Sequence, residues 1–80
     1  MRNEVFDVLE EVIETDEFRD DLDADLFEET LLDSLTAIAL IVELEDRFKV
    51  SLPPSEMERD EWNTANKIAD RIQEKVNEKA

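Results

Sequence analysis

The sequence contains no cysteine and no histidine. The chain therefore has no thiol nucleophile, no imidazole base, no soft metal ligand and no disulfide, which removes most hydrolase and zinc chemistry. An autonomous enzyme is not expected. Glycine is also absent, which argues against tight hairpins and phosphate-cradling glycine loops, while Leu, Glu, Ala and Lys favour helix. These absences predict an all-α fold. The longest fully apolar run, Ala37 to Val42, falls far short of the roughly 20 residues that cross a bilayer, so no direct membrane insertion is expected. Acidic residues interrupt the chain from Glu4 onward and leave no secretory-signal pattern, so the expected compartment is the cytoplasm.

What is abundant is negative charge. Against 9 Lys and Arg stand 24 Asp and Glu, a formal net charge of −15 on 80 residues. Such a surface repels nucleic-acid phosphates and anionic lipid headgroups, and its complementary partners carry basic patches. Nucleic acid is thereby excluded as a partner. The length suits one domain spanning residues 1–80, near the lower limit at which a core sustains itself without staples.

Along the chain, Val5, Phe6, Val8, Leu9, Val12 and Ile13 form a wide helical stripe, with Asp7, Glu10, Glu11 and Glu14 opposite. This predicts a first helix from Asn3 to about Glu14. From Thr15 to Asp33 many carboxylates alternate with Phe18, Leu22, Leu26, Phe27, Leu31 and Leu32 without a sustained period. That segment reads as a long loop pinned by its apolar residues, with a short helical turn around Leu26 to Thr30. A second helix is expected over Ser34 to Phe48, stopped by the approach to Pro53-Pro54. Ser55-Glu56-Met57-Glu58 has the form of a capping box and should start a short third helix. Thr64 is the expected N-cap of a fourth, from Ala65 to about Asn77, burying Ile68, Ala69, Ile72 and Val76. The sum is a small four-helix bundle with three long helices, one short helix and a long first loop. Its expected core comprises Val5, Leu9, Val12, Leu26, Phe27, Leu40, Leu44, Phe48, Ile68 and Ile72.

Asp21, Asp23 and Asp25 imitate the opening of a calcium loop, but the sixth position is Leu26 where glycine is needed and the twelfth is Leu32 where a bidentate Glu is needed. No metal site is assigned. The wider run of carboxylates from Glu10 to Asp33 is a solvated acidic surface, and one that can steer a basic partner.

The second helix is apolar on two sides. Ala37, Leu40, Ile41, Leu44 and Phe48 gather on one face and can enter a core, while Leu35, Ile38, Ala39 and Val42 recur at i, i+3, i+4, i+7 on another, directly beyond Ser34. A core helix needs only the first face. By itself Asp33 or Ser34 could simply cap the helix, and Ser34 cannot be a triad nucleophile without a histidine. A phosphodiester on the Ser34 oxygen would, however, sit where free N–H groups and the macrodipole favour an anion. The hydroxyl and the spare stripe together suggest a modified serine handed between partners.

The stretch Leu32-Asp33-Ser34-Leu35 resembles the attachment motif of the acyl and peptidyl carrier proteins, and Leu44-Glu45-Asp46-Arg47-Phe48 continues the likeness. That resemblance implies 4′-phosphopantetheine on Ser34, donated from coenzyme A by a phosphopantetheinyl transferase (holo-carrier synthase), with cargo held as a thioester. The arm would supply the thiol that the chain lacks. Downstream, Pro54-Ser55-Glu56-Met57-Glu58-Arg59-Asp60-Glu61-Trp62-Asn63-Thr64-Ala65-Asn66-Lys67-Ile68 is similar to the corresponding part of the D-alanyl carrier proteins, with Met57 where Phe is frequent among them.

This narrower resemblance implies a monomeric shuttle loaded by an ATP-dependent D-alanine–carrier protein ligase. It would deliver D-alanine to a membrane-bound O-acyltransferase system that esterifies teichoic acids, at the inner face of the plasma membrane. The partner-contacting set is then Asp33, Leu35, Ile38, Ala39, Val42 and Met57. So small a cargo leads to no expectation of a deep acyl pocket, and Trp62 is expected to pack the third helix against the fourth rather than touch D-alanine. Two alternatives stand beside this reading: a carrier of another acyl or aminoacyl group, in fatty-acid, polyketide or peptide synthesis, and an unmodified acidic interaction domain.

Overall fold

The computed structural model describes residues 2–53 and 58–79. Its elements are α1 (Arg2–Ile13), a 3₁₀ turn (Glu17–Asp20), α2 (Ser34–Phe48), α3 (Arg59–Trp62) and α4 (Ala65–Lys79), with no strand among the described residues. The chain is thus an all-α bundle of three long helices and one short one, as its composition predicts. α1 packs on α2 and on α4, while α3 and α2 each pack on α4.

Each long helix starts or stops for a local reason. α2 begins at Asp33, whose carboxylate accepts the Thr36 N–H at 2.8 Å, satisfying one of the donors that a helix N-terminus leaves unpaired. α4 begins at Thr64, whose hydroxyl accepts the Lys67 N–H at 3.1 Å, in agreement with the sequence. Glycine would ordinarily provide a left-handed stop. In its absence Glu14 (φ 59°) follows α1 and Lys49 (φ 54°) caps α2, conformations that cost a residue with a Cβ about 1–2 kcal/mol. Glu45 secures the second stop, its backbone carbonyl accepting the Val50 N–H at 3.3 Å and its side chain the Leu52 N–H at 2.9 Å.

The core is built from Val5, Phe6, Val8 and Leu9 of α1, Leu40 and Leu44 of α2, and Ala65, Ile68, Ala69 and Ile72 of α4, closed by Phe18, Leu26, Leu32, Leu52 and Trp62 from between them. Of the expected core residues, Val12, Phe27 and Phe48 are only partly buried against this cluster. They lie near its rim, at the end of a helix or in the loop, where fewer elements surround them. The largest departure from the sequence reading is the 3₁₀ turn, which the missing periodicity concealed. Phe18 in that turn meets Phe6 edge-on, with ring centroids 6.1 Å apart. Arg19 lies over the Phe18 ring at 5.3 Å and reaches back to Glu10 and Asp7, both at 2.9 Å.

The rest of the loop is strapped to the junction of α3 and α4. The Leu26 N–H donates to the Asn63 carbonyl at 2.6 Å, and the Asn66 N–H to the Leu22 carbonyl at 3.1 Å. Where a short helical turn is expected around Leu26 to Thr30, the chain forms hydrogen-bonded turns without a helix, closed by the Thr30 N–H on the Phe27 carbonyl at 3.1 Å. The proposed capping box at Ser55 to Glu58 falls mostly outside the described residues, and the third helix is described from Arg59 to Trp62.

Candidate functional site around Ser34

Ser34 is the first residue of α2 and is exposed. The structure separates the two roles that its sequence left open. Asp33 is the N-cap, in extended backbone (φ −134°, ψ −176°), and the Ser34 hydroxyl has no hydrogen-bond partner among the described residues. Capping is done by the neighbour, so the hydroxyl is left available for substitution. The hydrogen bonds from Thr36 to the Asp33 carboxylate hold its pKa below the ordinary value, because they favour the charged form.

The spare stripe on α2 is exposed as its spacing implies. Leu35 is 81%, Ile38 58% and Val42 56% exposed, the exposed large hydrophobics of the described chain, and Ala39 beside them is exposed as well. On the opposite side Leu40 and Leu44 are buried. Glu43 and Asp46, also exposed, edge the apolar strip with negative charge. The strip starts one residue after Ser34, so a protein that covers it also covers the hydroxyl. Of the expected partner-contacting set, Asp33, Leu35, Ile38, Ala39 and Val42 are thereby brought together, and Met57 lies outside the described residues.

A solvent-open cleft of about 750 Å³ adjoins Ser34. Its lining joins Asp33, Ser34, Ala37, Ile38, Leu40 and Ile41 to Phe27, Thr30 and Leu32 of the loop and to Trp62 at the end of α3. The sequence led to no expectation of a deep acyl pocket, and the space is an open cleft rather than an enclosed cavity. The small Ala37 of α2 borders it, and the loop on its other side is tied to Asn63. Thr30 has φ 60°, a costly left-handed position for a β-branched residue, stationed in the lining.

Trp62 is 5% exposed and does pack as the sequence suggests, but it also lines this cleft. Its Nε1 is buried with no hydrogen-bond partner among the described residues, a condition that costs about 1–3 kcal/mol when nothing supplies an acceptor. Phe27, Thr30, Leu32, Ala37 and Ile41 were not singled out as site residues by sequence. The one available signal was that Ala37 and Ile41 lie on the inward face of α2 close to Ser34.

The acidic loop has structural work that its resemblance to a calcium loop obscured. Asp21 accepts the Asp23 N–H at 3.1 Å, and Asp23 accepts from the Asn66 side chain at 2.7 Å. Asp25 accepts the Phe27 and Glu28 N–H groups at 2.9 and 3.0 Å. These carboxylates shape turns and fasten the loop to α4.

No helix among the described residues is long and apolar enough to cross a membrane. The family model described as "Phosphopantetheine attachment site" matches residues 3–72, a span that includes Ser34 and the whole cleft. The D-alanyl carrier protein of Lactococcus lactis subsp. cremoris (strain MG1363) is 64% identical over 78 residues, 98% of this chain and 99% of that relative. That of Lactococcus lactis subsp. lactis (strain IL1403) is 65% identical over 78 residues, with the same coverage of 98% and 99%. The D-alanyl carrier protein of Bacillus velezensis is 44% identical over 73 residues, 91% of this chain and 94% of the relative. Carrier proteins of this kind are not themselves enzymes, and their prosthetic group is phosphopantetheine. A matching attachment domain over most of the chain, joined to relatives alike from end to end, means that this chain belongs to the D-alanyl carrier protein family.

Proposed function

We propose that Ser34 carries 4′-phosphopantetheine and that the arm carries D-alanine as a thioester. The observation that carries this reading is an exposed serine hydroxyl at the head of α2, released from capping by Asp33, in the lining of a cleft and at the edge of an uncovered apolar strip. The chain has no cysteine, so the sulfur that holds the cargo must come with the arm. A small aminoacyl group needs little shelter. The cleft thus has room for part of the arm itself.

The partners are those that the resemblance to the D-alanyl carrier proteins implies. A phosphopantetheinyl transferase installs the arm, an ATP-dependent D-alanine–carrier protein ligase loads it, and a membrane-bound O-acyltransferase system takes the cargo for teichoic acid. Each must approach Ser34, and each would meet Leu35, Ile38, Ala39 and Val42 while its own basic groups face the carboxylates around them. The carrier spans no membrane in this reading and meets the cytoplasmic face through a protein.

Intact mass after incubation with coenzyme A and a phosphopantetheinyl transferase tests the attachment. The parent should gain one arm and Ser34→Ala none, and the holo-protein should then gain one D-alanyl group from ligase, ATP and D-alanine. Because Asp33 is the cap, Ser34→Ala should leave stability within about 0.5 kcal/mol of the parent. An arm on Ser34→Ala would refute the site. A holo-protein that a D-alanine ligase cannot load, but another acyl-activating enzyme can, would refute the cargo.

A further inference from the structure

Trp62 and Ser34 line the same cleft, and the Trp62 Nε1 is buried without a hydrogen-bond partner among the described residues. Buried indole N–H groups ordinarily find an acceptor. The polar residues of the lining do not provide one. The Thr30 hydroxyl is turned to the Glu29 carbonyl, at 2.6 Å, and the Asp33 carboxylate is engaged by the Thr36 N–H. Beyond these and Ser34, the lining is apolar, with Phe27, Leu32, Leu40 and Ile41 among its members. The lining of the cleft therefore brings together an apolar wall, the serine hydroxyl and a tryptophan whose indole N–H is unanswered among the described residues.

We propose that Trp62 is a positioning residue for the serine-linked arm, its indole N–H donating to an amide carbonyl of a phosphopantetheine chain that enters the cleft from Ser34. The inference rests on the reading of Ser34 as the attachment residue. A phosphopantetheine chain suits this wall because its amide groups offer carbonyl acceptors and its methylene segments match an apolar lining. Nε1 is closed to solvent in this structure, so reaching it requires side chains around the indole to shift as the chain enters. The bond uses an amide of the arm and makes no demand on the cargo. It orients the arm whatever the thioester holds.

Trp62 is the single tryptophan of the sequence, so its indole N–H gives one assignable resonance in ¹⁵N-labelled full-length protein. Intact mass is read first, to establish that the parent has gained the arm and that Ser34→Ala, treated identically, has not. In the holo-protein the indole proton should then move downfield and show nuclear Overhauser contacts to the arm's methylene protons, with neither effect in treated Ser34→Ala. Holo Trp62→Phe keeps a ring but loses the donor, and its arm should relax faster than the arm of the holo parent. A full gain in mass with an unmoved indole resonance and no contact to the arm would overturn the proposal, as would an arm equally mobile in holo Trp62→Phe. Failure of the parent to gain mass would instead overturn the reading of Ser34 on which the proposal rests.

Discussion

The Asp25 carboxylate accepts a hydrogen bond from the Asn63 side chain at 3.0 Å, joining the acidic loop to the junction of α3 and α4. The same carboxylate caps the turn that buries Leu26, so one residue sets both the shape of the loop and its attachment. Asp25→Ala should destabilise the protein by about 1–3 kcal/mol, as expected when several hydrogen bonds of a half-buried group are lost. In a double-mutant cycle with Asn63→Ala, denaturant unfolding should report a coupling of about 0.5–3 kcal/mol. Strict additivity would mean that the two residues act independently.

The two faces of α2 should respond oppositely. Leu44 is fully buried, and Leu44→Ala should cost roughly 2–5 kcal/mol, a large share of the stability of so small a domain. Val42 is 56% exposed, so Val42→Asp should leave the melting temperature within a few degrees of the parent while weakening D-alanine loading or delivery. Unchanged loading by ligase together with unchanged transfer would remove the strip from the docking surface.

Asp33 makes a pH signature. Its folded pKa is lowered by the Thr36 hydrogen bonds, so its contribution to stability is fully present above its unfolded value, about 3.9, and is lost as pH falls through the folded value. The difference in melting temperature between the parent and Asp33→Ala should be constant above about pH 5 and shrink below about pH 4. Contributions common to both proteins cancel in that difference. A gap that widens on acidification would show that the carboxylate is not stabilised by its charge.

Net charge predicts a salt response. Exposed ion pairs such as Arg2–Asp70 and Arg47–Glu11 are each worth little, whereas 24 acidic residues face 9 basic ones. Screening over roughly 8–10 Å near physiological ionic strength should relieve more repulsion than it removes attraction. Thermal melts should shift upward over the first few hundred millimolar of salt. A flat or falling melting temperature would place the limit on stability elsewhere, in the small core.

Much of the molecule is legible from periodicity and local chemistry alone. The bounds of α2 at Ser34 and Phe48, the cap at Thr64, the burial of Leu40 and Leu44 and the exposure of Leu35, Ile38 and Val42 are all determined within a few turns of chain, where spacing specifies a face. Tertiary structure decided the rest. Phe18 and Leu26 carry no period because each is placed by a different distant partner, Phe6 and Asn63, and Asp25 meets Asn63 across 38 positions. The cleft depended on where a loop fastened to Asn63 came to rest against α2. A burial pattern repeats along a helix and can be read from it. A cavity exists between elements and is set by how they close.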